Sequence, residues 1–374
     1  MKKIFSLIVF ILCAAFCVLA EEAVSPSLSA DGAHALAVDK SGRVWAWGSN
    51  HIGESNPFSD ETSILTPTKV FENAVSVACG QQFSMVLTKN GDLYAWGDNR
   101  EGQIPSCGDT RAGEFVLICS GIIQMDACDL RAAAVSEDGS LHAWGGGEEM
   151  RVLSENAVKC AVGLDFVLEL DKDGNVYEYD ESGEKTLKVQ ACSDIDASGE
   201  SRYALARDGR LYAWGANASD GRLGIGSSET AVTSPTKIDI GNVSEIRAGL
   251  SMGGCILEDH TLAVWGSVYS YLTHIDAQGE TLAALMDGAL ITYGSTPLPL
   301  YENVLDAAFG DAFVMLLFED GSVYTWGSND HGQLGNGTRT ETALFEDEEG
   351  DGYELTVVSA AQGIFPSVPI NLFN

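Results

Sequence analysis

The chain has 374 residues, with 54 acidic side chains against 21 basic ones and a formal net charge of −33. A surface this acidic repels the phosphates of nucleic acids and of anionic lipids, so we expect neither as a partner. The length exceeds that of a typical single domain, unless the chain is built from repeats.

Residues 1–20 have the features of an export signal. Lys2 and Lys3 precede an apolar run over residues 4–19, and cleavage after Ala20 satisfies the small-residue rule. The run is short for a membrane-spanning helix, and no second run of that length follows. Cleavage leaves 19 basic and 54 acidic groups, hence a charge of −35. We therefore expect a secreted or cell-surface protein without membrane insertion, folded as a single domain over residues 21–374.

The rest of the chain repeats one pattern in eight units. Each unit ends in an aromatic anchor followed by glycine or aspartate, and the anchors are Trp47, Trp96, Trp144, Tyr179, Trp214, Trp265, Tyr293 and Trp326. Five residues before the anchor stands a glycine in every unit except one, where His260 replaces it. The preceding residue is Asp, Asn or Ser, and apolar runs lie on both sides. This pattern predicts tight hairpins, because Asp-Gly and Asn-Gly supply the positive-φ positions of such turns.

Two further strand-like segments lie upstream of a hairpin. They occupy residues 67–70 and 74–80 before the second hairpin, and both lie within residues 300–310 before the last one. We interpret them as an outer and an inner strand, which makes four short strands per unit. Such a repeat is typical of a β-propeller, whose blades bury their faces by stacking in a ring. The predicted fold class is all-β, a propeller of seven or eight four-stranded blades, and the anchor count favours eight.

The C-terminal tail carries one more inner-strand pattern. An acidic loop over residues 345–352 leads into the segment 355–363, which repeats that pattern. We expect this tail to close the ring against the first unit, which has no outer strand upstream of its hairpin.

The combined motif identifies a family. An Ala-Leu strand, an Asp-Gly turn, a Tyr-x-Trp-Gly strand and an Asn-x-x-Gly-Gln-Leu-Gly loop follow one another, with the closest match over residues 324–337. Residues 93–103 and 211–226 match nearly as well. The chain resembles the regulator of chromosome condensation repeat family over almost its whole mature length, which implies a propeller, usually of seven blades.

The resemblance also implies functions. Founding nuclear members of the family exchange nucleotide on a small GTPase and touch chromatin, a role that export and acidity contradict here. A secreted bacterial relative inhibits β-lactamase by covering its active site with loops from one face of the propeller. The resemblance therefore favours protein binding in this chain.

The cysteines suggest one disulfide. Seven remain after export, so at least one is unpaired. Cys107 and Cys119 flank the long connection after Trp96 and are the candidate pair.

The sequence predicts no catalytic, cofactor-binding or metal-ligating set. The six histidines occupy unrelated repeat positions, and no Gly-x-Ser-x-Gly elbow is present. We expect a non-enzymatic extracellular scaffold, monomeric, that binds an unidentified protein. The alternatives are a secreted enzyme inhibitor and, less favoured, a carbohydrate-binding or hydrolytic propeller. The candidate binding residues lie in the loops after the anchors, and they are Asn50, His51, Asn99, Arg100, Tyr269, Tyr271, Asp330 and His331.

Overall fold

The computed structural model describes residues 24–218, 221–268, 291–339, 341–346 and 352–357. These residues form 29 strands and no helix, which confirms the all-β prediction. The residues of the predicted export signal lie outside the described part of the chain.

Most of the strands fall into six four-stranded antiparallel sheets, which are blades one to six in chain order. Blades one to three contain β1 (Ser27–Asp31), β2 (His34–Val38), β3 (Val44–Ser49), β4 (Ser63–Phe71), β5 (Ala74–Cys79), β6 (Phe83–Thr88), β7 (Leu93–Asp98), β8 (Arg111–Cys119), β9 (Ile122–Cys128), β10 (Arg131–Ser136), β11 (Leu141–Gly145) and β12 (Glu148–Ser154). Blades four to six contain β13 (Ala157–Val162), β14 (Phe166–Asp171), β15 (Val176–Asp180), β16 (Lys185–Val189), β17 (Cys192–Ser198), β18 (Ser201–Ala206), β19 (Leu211–Ala216), β20 (Ala231–Lys237), β21 (Val243–Ala248), β22 (Met252–Leu257), β23 (Leu262–Val268) and β24 (Ile291–Tyr301). Blade seven has three strands, β25 (Val304–Phe309), β26 (Phe313–Phe318) and β27 (Val323–Gly327), and a separate hairpin follows, β28 (Glu341–Glu346) and β29 (Gly352–Val357).

The ring has seven blades. The first strand of each blade contacts the first strand of the next, and β25 contacts β1, which closes the cycle. The count of eight is wrong because the anchor at residue 293 does not end a blade of its own. That residue lies in β24, the fourth strand of blade six, where Gly294 pairs with Gly266 of β23.

Seven of the eight predicted hairpins are present at the predicted positions, and the turn predicted at Gly288 lies outside the described residues. In blade one Val38 pairs with Val44, and the turn between them contains Gly42 at φ 76°. The exceptional unit makes the same turn, with His260 at φ 63° where the others have glycine. The glycine of each Asp-Gly pair therefore provides the positive φ of the turn, and His260 adopts the same positive φ without being glycine.

Apolar side chains pack between blades. The buried apolar residues of the described chain form seven clusters, and each joins two neighbouring blades. Burial against a neighbour on each side explains why β2, β6 and β14 are buried along their whole length. The predicted continuous apolar runs are thus strands buried on both faces.

Blade one meets blade seven directly. The backbone N–H of Leu28 donates to Asp306 Oδ2 at 2.7 Å, and the N–H of Gly337 donates to the carbonyl of Leu65 at 2.8 Å. Blade one also has its own outer strand, β4, which follows the hairpin and does not precede it. Among the described residues, blade seven and the loop after it make the closing contacts, and β28 pairs with β29.

Candidate functional site

The antiparallel order of the strands gives the ring two different faces. One face, here called the loop face, carries the turns between first and second strands and the connections between third and fourth strands. The other, the hairpin face, carries the Asp-Gly turns and the links between blades. Among the described residues, long connections rise from the loop face over residues 50–62, 99–110, 217–218 with 221–230, and 328–339, whereas blades three and four have short ones, 146–147 and 181–184.

One asparagine organises each long connection. The Nδ2 of Asn99 donates to the carbonyls of Cys107 and Asp109 at 3.2 and 2.8 Å, and its Oδ1 accepts from the N–H of Ile104 at 2.7 Å. Equivalent bonds are made by Asn50, Asn217 and Asn329. Asn50 and Asn99, both predicted as binding residues, thus have their amides occupied by the backbone of their own loops.

The tryptophan anchors tie each long loop to the next blade. The indole N–H donates to a loop carbonyl of the preceding blade, in the pairs Trp96 with Glu54 at 2.8 Å, Trp144 with Gln103 at 2.8 Å, Trp265 with Arg222 at 2.9 Å and Trp47 with Gln333 at 2.9 Å. Blade four has a short connection, and there Trp214 donates to the Glu178 carboxylate at 2.7 Å. The tryptophans of the Trp-Gly motif therefore join each of these loops to the neighbouring blade by a hydrogen bond.

A cleft of about 320 Å³ opens on the loop face between blades seven and one. His51 and His331 meet there edge to face, with ring centroids 5.2 Å apart and an interplanar angle of 84°. Burial, followed by the nearby His51, lowers the pKa of His331. Asp311, Asp330, Gln81 and Gln82 also line the cleft. Burial raises the pKa of Asp311, and the nearby Asp129 adds to the effect.

Three of the predicted binding residues meet in this cleft, namely His51, Asp330 and His331. His51 lies near the start of the described chain and Asp330 and His331 near its end, and the closure of the ring brings them together. Arg100 is exposed on the neighbouring loop, where its guanidinium donates to Asp98 Oδ1 at 2.8 Å and to Gln82 Oε1 at 2.7 Å. Tyr269 and Tyr271 lie outside the described residues.

Three aspartates on the first strands were not among the predicted site residues. Asp126, Asp196 and Asp306 lie on first strands, and each accepts the backbone N–H of the next blade, at 2.7 Å from Val162, 2.8 Å from Ala248 and 2.7 Å from Leu28. Burial raises the pKa of Asp126 to about 8 and that of Asp196 to about 6. The sequence did contain a signal for these carboxylates. In each of the three units an aspartate stands between an apolar residue and alanine within an apolar strand.

The structure does not support the predicted disulfide, because Cys107 and Cys119 are both free. The Cys107 Sγ lies 3.8 Å from the Arg111 carbonyl, at the start of β8, whereas Cys119 ends that strand opposite Leu93. An extended strand of this length separates its ends by about 26 Å, far beyond the span of a disulfide. Within the described residues, no group of three or more His, Cys, Asp or Glu side chains could hold a metal ion. The same residues contain no helix of the length and apolarity that a membrane span requires.

These features define a β-propeller with long, internally hydrogen-bonded loops on one face. The family model of the RCC1-like domain matches residues 18–364. The chain belongs to the RCC1-like domain family.

Curated relatives share about a quarter of their aligned residues with this chain. Protein pim1 of Schizosaccharomyces pombe is 26% identical over 361 residues, covering 84% of this chain and 61% of pim1. The ultraviolet-B receptor UVR8 of Arabidopsis thaliana is 27% identical and covers 65% of this chain and 64% of UVR8. The human E3 ubiquitin-protein ligase HERC2 is 25% identical, but this chain spans only 5% of its length.

Among solved structures, Prp20p of Saccharomyces cerevisiae aligns with a TM-score of 0.68 at 16% identity, covering 91% of each chain. The same yeast protein bound to Kap60 gives a TM-score of 0.65 at 17% identity, covering 89% of this chain and 86% of the other. These likenesses establish the fold.

Proposed function

We propose that this chain is an exported, non-enzymatic propeller that binds another protein through its loop face. One observation carries the proposal. In the described part of the chain, four long loops of differing sequence rise from one face of the ring, each held by hydrogen bonds to an internal asparagine, and two of them form the cleft between blades seven and one. A rigid scaffold that presents varied loops is the usual arrangement of a recognition surface.

The comparisons support protein binding in a general way. The solved yeast relatives are described in a complex with Kap60 and by their binding to Gsp1p and histones. The proposal of export rests on the character of residues 1–20, and the acidity of the mature chain favours a basic partner. The enzyme-inhibitor alternative requires several exposed aromatic rings on one face. Phe58 is the one phenylalanine among the exposed large apolar side chains of the described residues, so no specific observation favours that alternative.

The proposal is tested by capture of proteins from the native extracellular medium with the mature chain, followed by mass spectrometry. Asp330→Lys reverses an exposed charge at the cleft, and Glu302→Lys reverses an exposed charge on the hairpin face of the same region. We expect Asp330→Lys to lose the captured protein and Glu302→Lys to retain it. Equal loss with both variants would contradict the loop face as the binding surface.

The charge of the mature chain gives a kinetic test with the captured protein. If acidity steers the encounter, the association rate should fall steeply as salt rises, while the dissociation rate changes little. An association rate independent of salt would exclude steering and leave binding intact. Turnover of a glycan or peptide library, abolished by one Asp or Glu substitution, would overturn the non-enzymatic assignment.

A further inference from the structure

The loop of blade one departs from the plan of the other long loops. Its Glu54 accepts the indole N–H of Trp96, which makes Glu54 the counterpart of the residues that accept the other indoles. In the other loops the residue that follows the acceptor is a fully buried apolar side chain, namely Ile104, Leu223 or Leu334. Here that residue is Ser55, which is buried and donates to the carbonyls of Trp47 and Ser49 at 3.0 and 2.7 Å. The loop of blade one therefore buries a hydroxyl where its equivalents bury an apolar group.

The large apolar residue of this loop points outward. Phe58 is 67% exposed, the largest exposure among the large apolar side chains of the described residues. One side of its ring packs edge to face on Phe115, with centroids 5.2 Å apart, and Phe115 packs on Trp96 at 5.0 Å. One side of the Phe58 ring thus packs where blades one and two meet, and its other side faces solvent.

Hydrogen bonds hold the backbone around Phe58. Its N–H donates to Asn56 Oδ1 at 3.1 Å, and the N–H of Asn56 donates to Asn50 Oδ1 at 2.8 Å. The Nδ2 of Asn50 donates to the carbonyl of Glu61 at 2.8 Å, on the far side of the loop. A backbone held this way loses little conformational entropy on binding, which favours the use of Phe58 as an anchor.

The loop that carries Phe58 and the segment that carries Phe115 are both acidic. Asp60 and Glu61 lie in the first, Asp109 and Glu114 lie in the second, and all four are exposed. Arg111 of the second segment reaches toward Gly53 of the first and offsets one of these four charges. An exposed aromatic ring on an acidic surface is complementary to an apolar side chain flanked by basic residues.

We propose that Phe58 anchors the interface with the partner and receives an apolar side chain from a segment that carries lysine or arginine on both sides. This inference rests on the proposed function and deepens it, since it specifies the chemistry of the partner. Aromatic residues are enriched in protein interfaces, and single fully desolvated contacts commonly carry much of the binding energy.

The test uses labelled hexapeptides and fluorescence anisotropy with the full chain. One peptide has a central Leu-Phe pair with two lysines on each side, the second has glutamates in place of the lysines, and the third has a central Gly-Gly pair between lysines. We expect the first peptide to bind and the other two to bind at least about tenfold more weakly. Phe58→Ala should weaken the first peptide by about tenfold or more. Ile123→Ala, which removes another exposed apolar side chain at the start of β9 on the hairpin face, should leave the binding unchanged.

Each outcome bears on the proposal. Phe58→Ala that binds like the unmodified protein, binding of the glutamate peptide at equal strength, or no binding of any peptide would each overturn it. Circular dichroism and urea unfolding of Phe58→Ala should match the unmodified protein, because the ring is mostly exposed. The capture experiment with Asp330→Lys does not depend on the peptides, so failure of the Phe58 assignment is distinguishable from failure of the proposed function.

Discussion

His260 occupies a turn position at which the other hairpins have glycine. It adopts φ 63°, in the left-handed region that costs a side chain with a Cβ about 1–2 kcal/mol. Its pair with Glu319, at 3.6 Å between half-exposed side chains, compensates little of this cost. The turn is therefore a local source of strain in an otherwise regular repeat.

Replacing this residue with glycine should stabilise the protein. We expect His260→Gly to raise the free energy of unfolding by about 0.5–1 kcal/mol, since relief of strain exceeds the entropy that glycine adds to the unfolded chain. Gly209→Ala is the matched opposite change, because Gly209 has φ +80° and open space around a Cβ. It should lose about 1 kcal/mol or somewhat more, for the same reason of strain. Urea unfolding of both variants measures these changes in the free energy of unfolding, and a loss of stability in His260→Gly would contradict this account.

A second prediction at the scale of single residues concerns Asp126 and the pH dependence of stability. Burial, followed by the charge of Asp196, raises its pKa to about 8, while the N–H of Val162 and the charge of Lys159 act in the opposite direction. The native state therefore retains a proton that the unfolded chain releases above its ordinary pKa. The contribution of Asp126 to stability must fall as pH rises from about 4 to about 8.

Asp126→Asn removes this titration and preserves an acceptor for the Val162 N–H. The difference in unfolding free energy between the variant and the unmodified protein should therefore shift in favour of the variant between pH 5 and pH 8. Asp138→Asn is the control, since hydrogen bonds from Ser140 lower the pKa of that exposed carboxyl and keep it ionised throughout. Its difference should not vary over this range, and the same constancy in Asp126→Asn would refute the raised pKa.

At the scale of elements, the long loops are small folded units. Each contains an asparagine that bonds the backbone on both sides, and each receives an indole N–H from the next blade. The loops therefore keep their shapes while their exposed positions differ in sequence. This separates the residues that build the loop face from those that are free to bind.

Adjacent residues of one loop distinguish the two roles. Asn99→Ala removes three hydrogen bonds and should lower the free energy of unfolding by about 1–3 kcal/mol. It should also speed proteolysis within residues 100–110. Arg100→Ala should cost less, at most about 1 kcal/mol, because the Arg100 side chain is more than half exposed in its ion pair with Asp98. Limited proteolysis and urea unfolding measure both effects, and equal stability of the two variants would contradict the assigned roles.

At the scale of the whole molecule, the ring depends on the seam between its ends. Asp306 accepts the N–H of Leu28 at 2.7 Å and the Nε of Arg247 at 2.7 Å, so it joins blades six, seven and one. Trp47 and Gln333 fasten the same seam on the loop face. A propeller cannot lose this contact without exposing the apolar faces of two blades.

Removing the carboxylate at the seam should destabilise the whole ring. Asp306→Ala leaves the Leu28 N–H without its acceptor and takes from Arg247 one of the two carboxylates paired with it, and we expect a loss of about 3–5 kcal/mol. Glu302→Ala, an exposed acid of the same region, should cost less than about 0.5 kcal/mol. Thermal and urea unfolding provide the comparison, and a loss below about 1 kcal/mol in Asp306→Ala would show that the seam is held by apolar packing alone.

The sequence by itself determined the all-β class, the hairpins and the loop face, because each depends on local chemistry. Asp-Gly turns, apolar runs and the Trp-Gly anchors act within a few residues of one another, and the repeat makes the same signal visible many times. The count of eight blades is wrong because an anchor-like pair at residues 293–294 belongs to an outer strand, and strand partners are chosen by the tertiary fold.

Only the tertiary structure decided which loop residues are available for binding. Asn50 and Asn99 share the loops of His51 and Arg100, yet the structure turns the asparagines inward to their own backbone. His51 and His331 meet because blade seven closes on blade one, a contact between distant parts of the chain. Phe58 is exposed, in a loop where Ser55 takes the buried position that an apolar residue holds in the other loops. Side-chain partners across a ring depend on closure, and no local pattern encodes them.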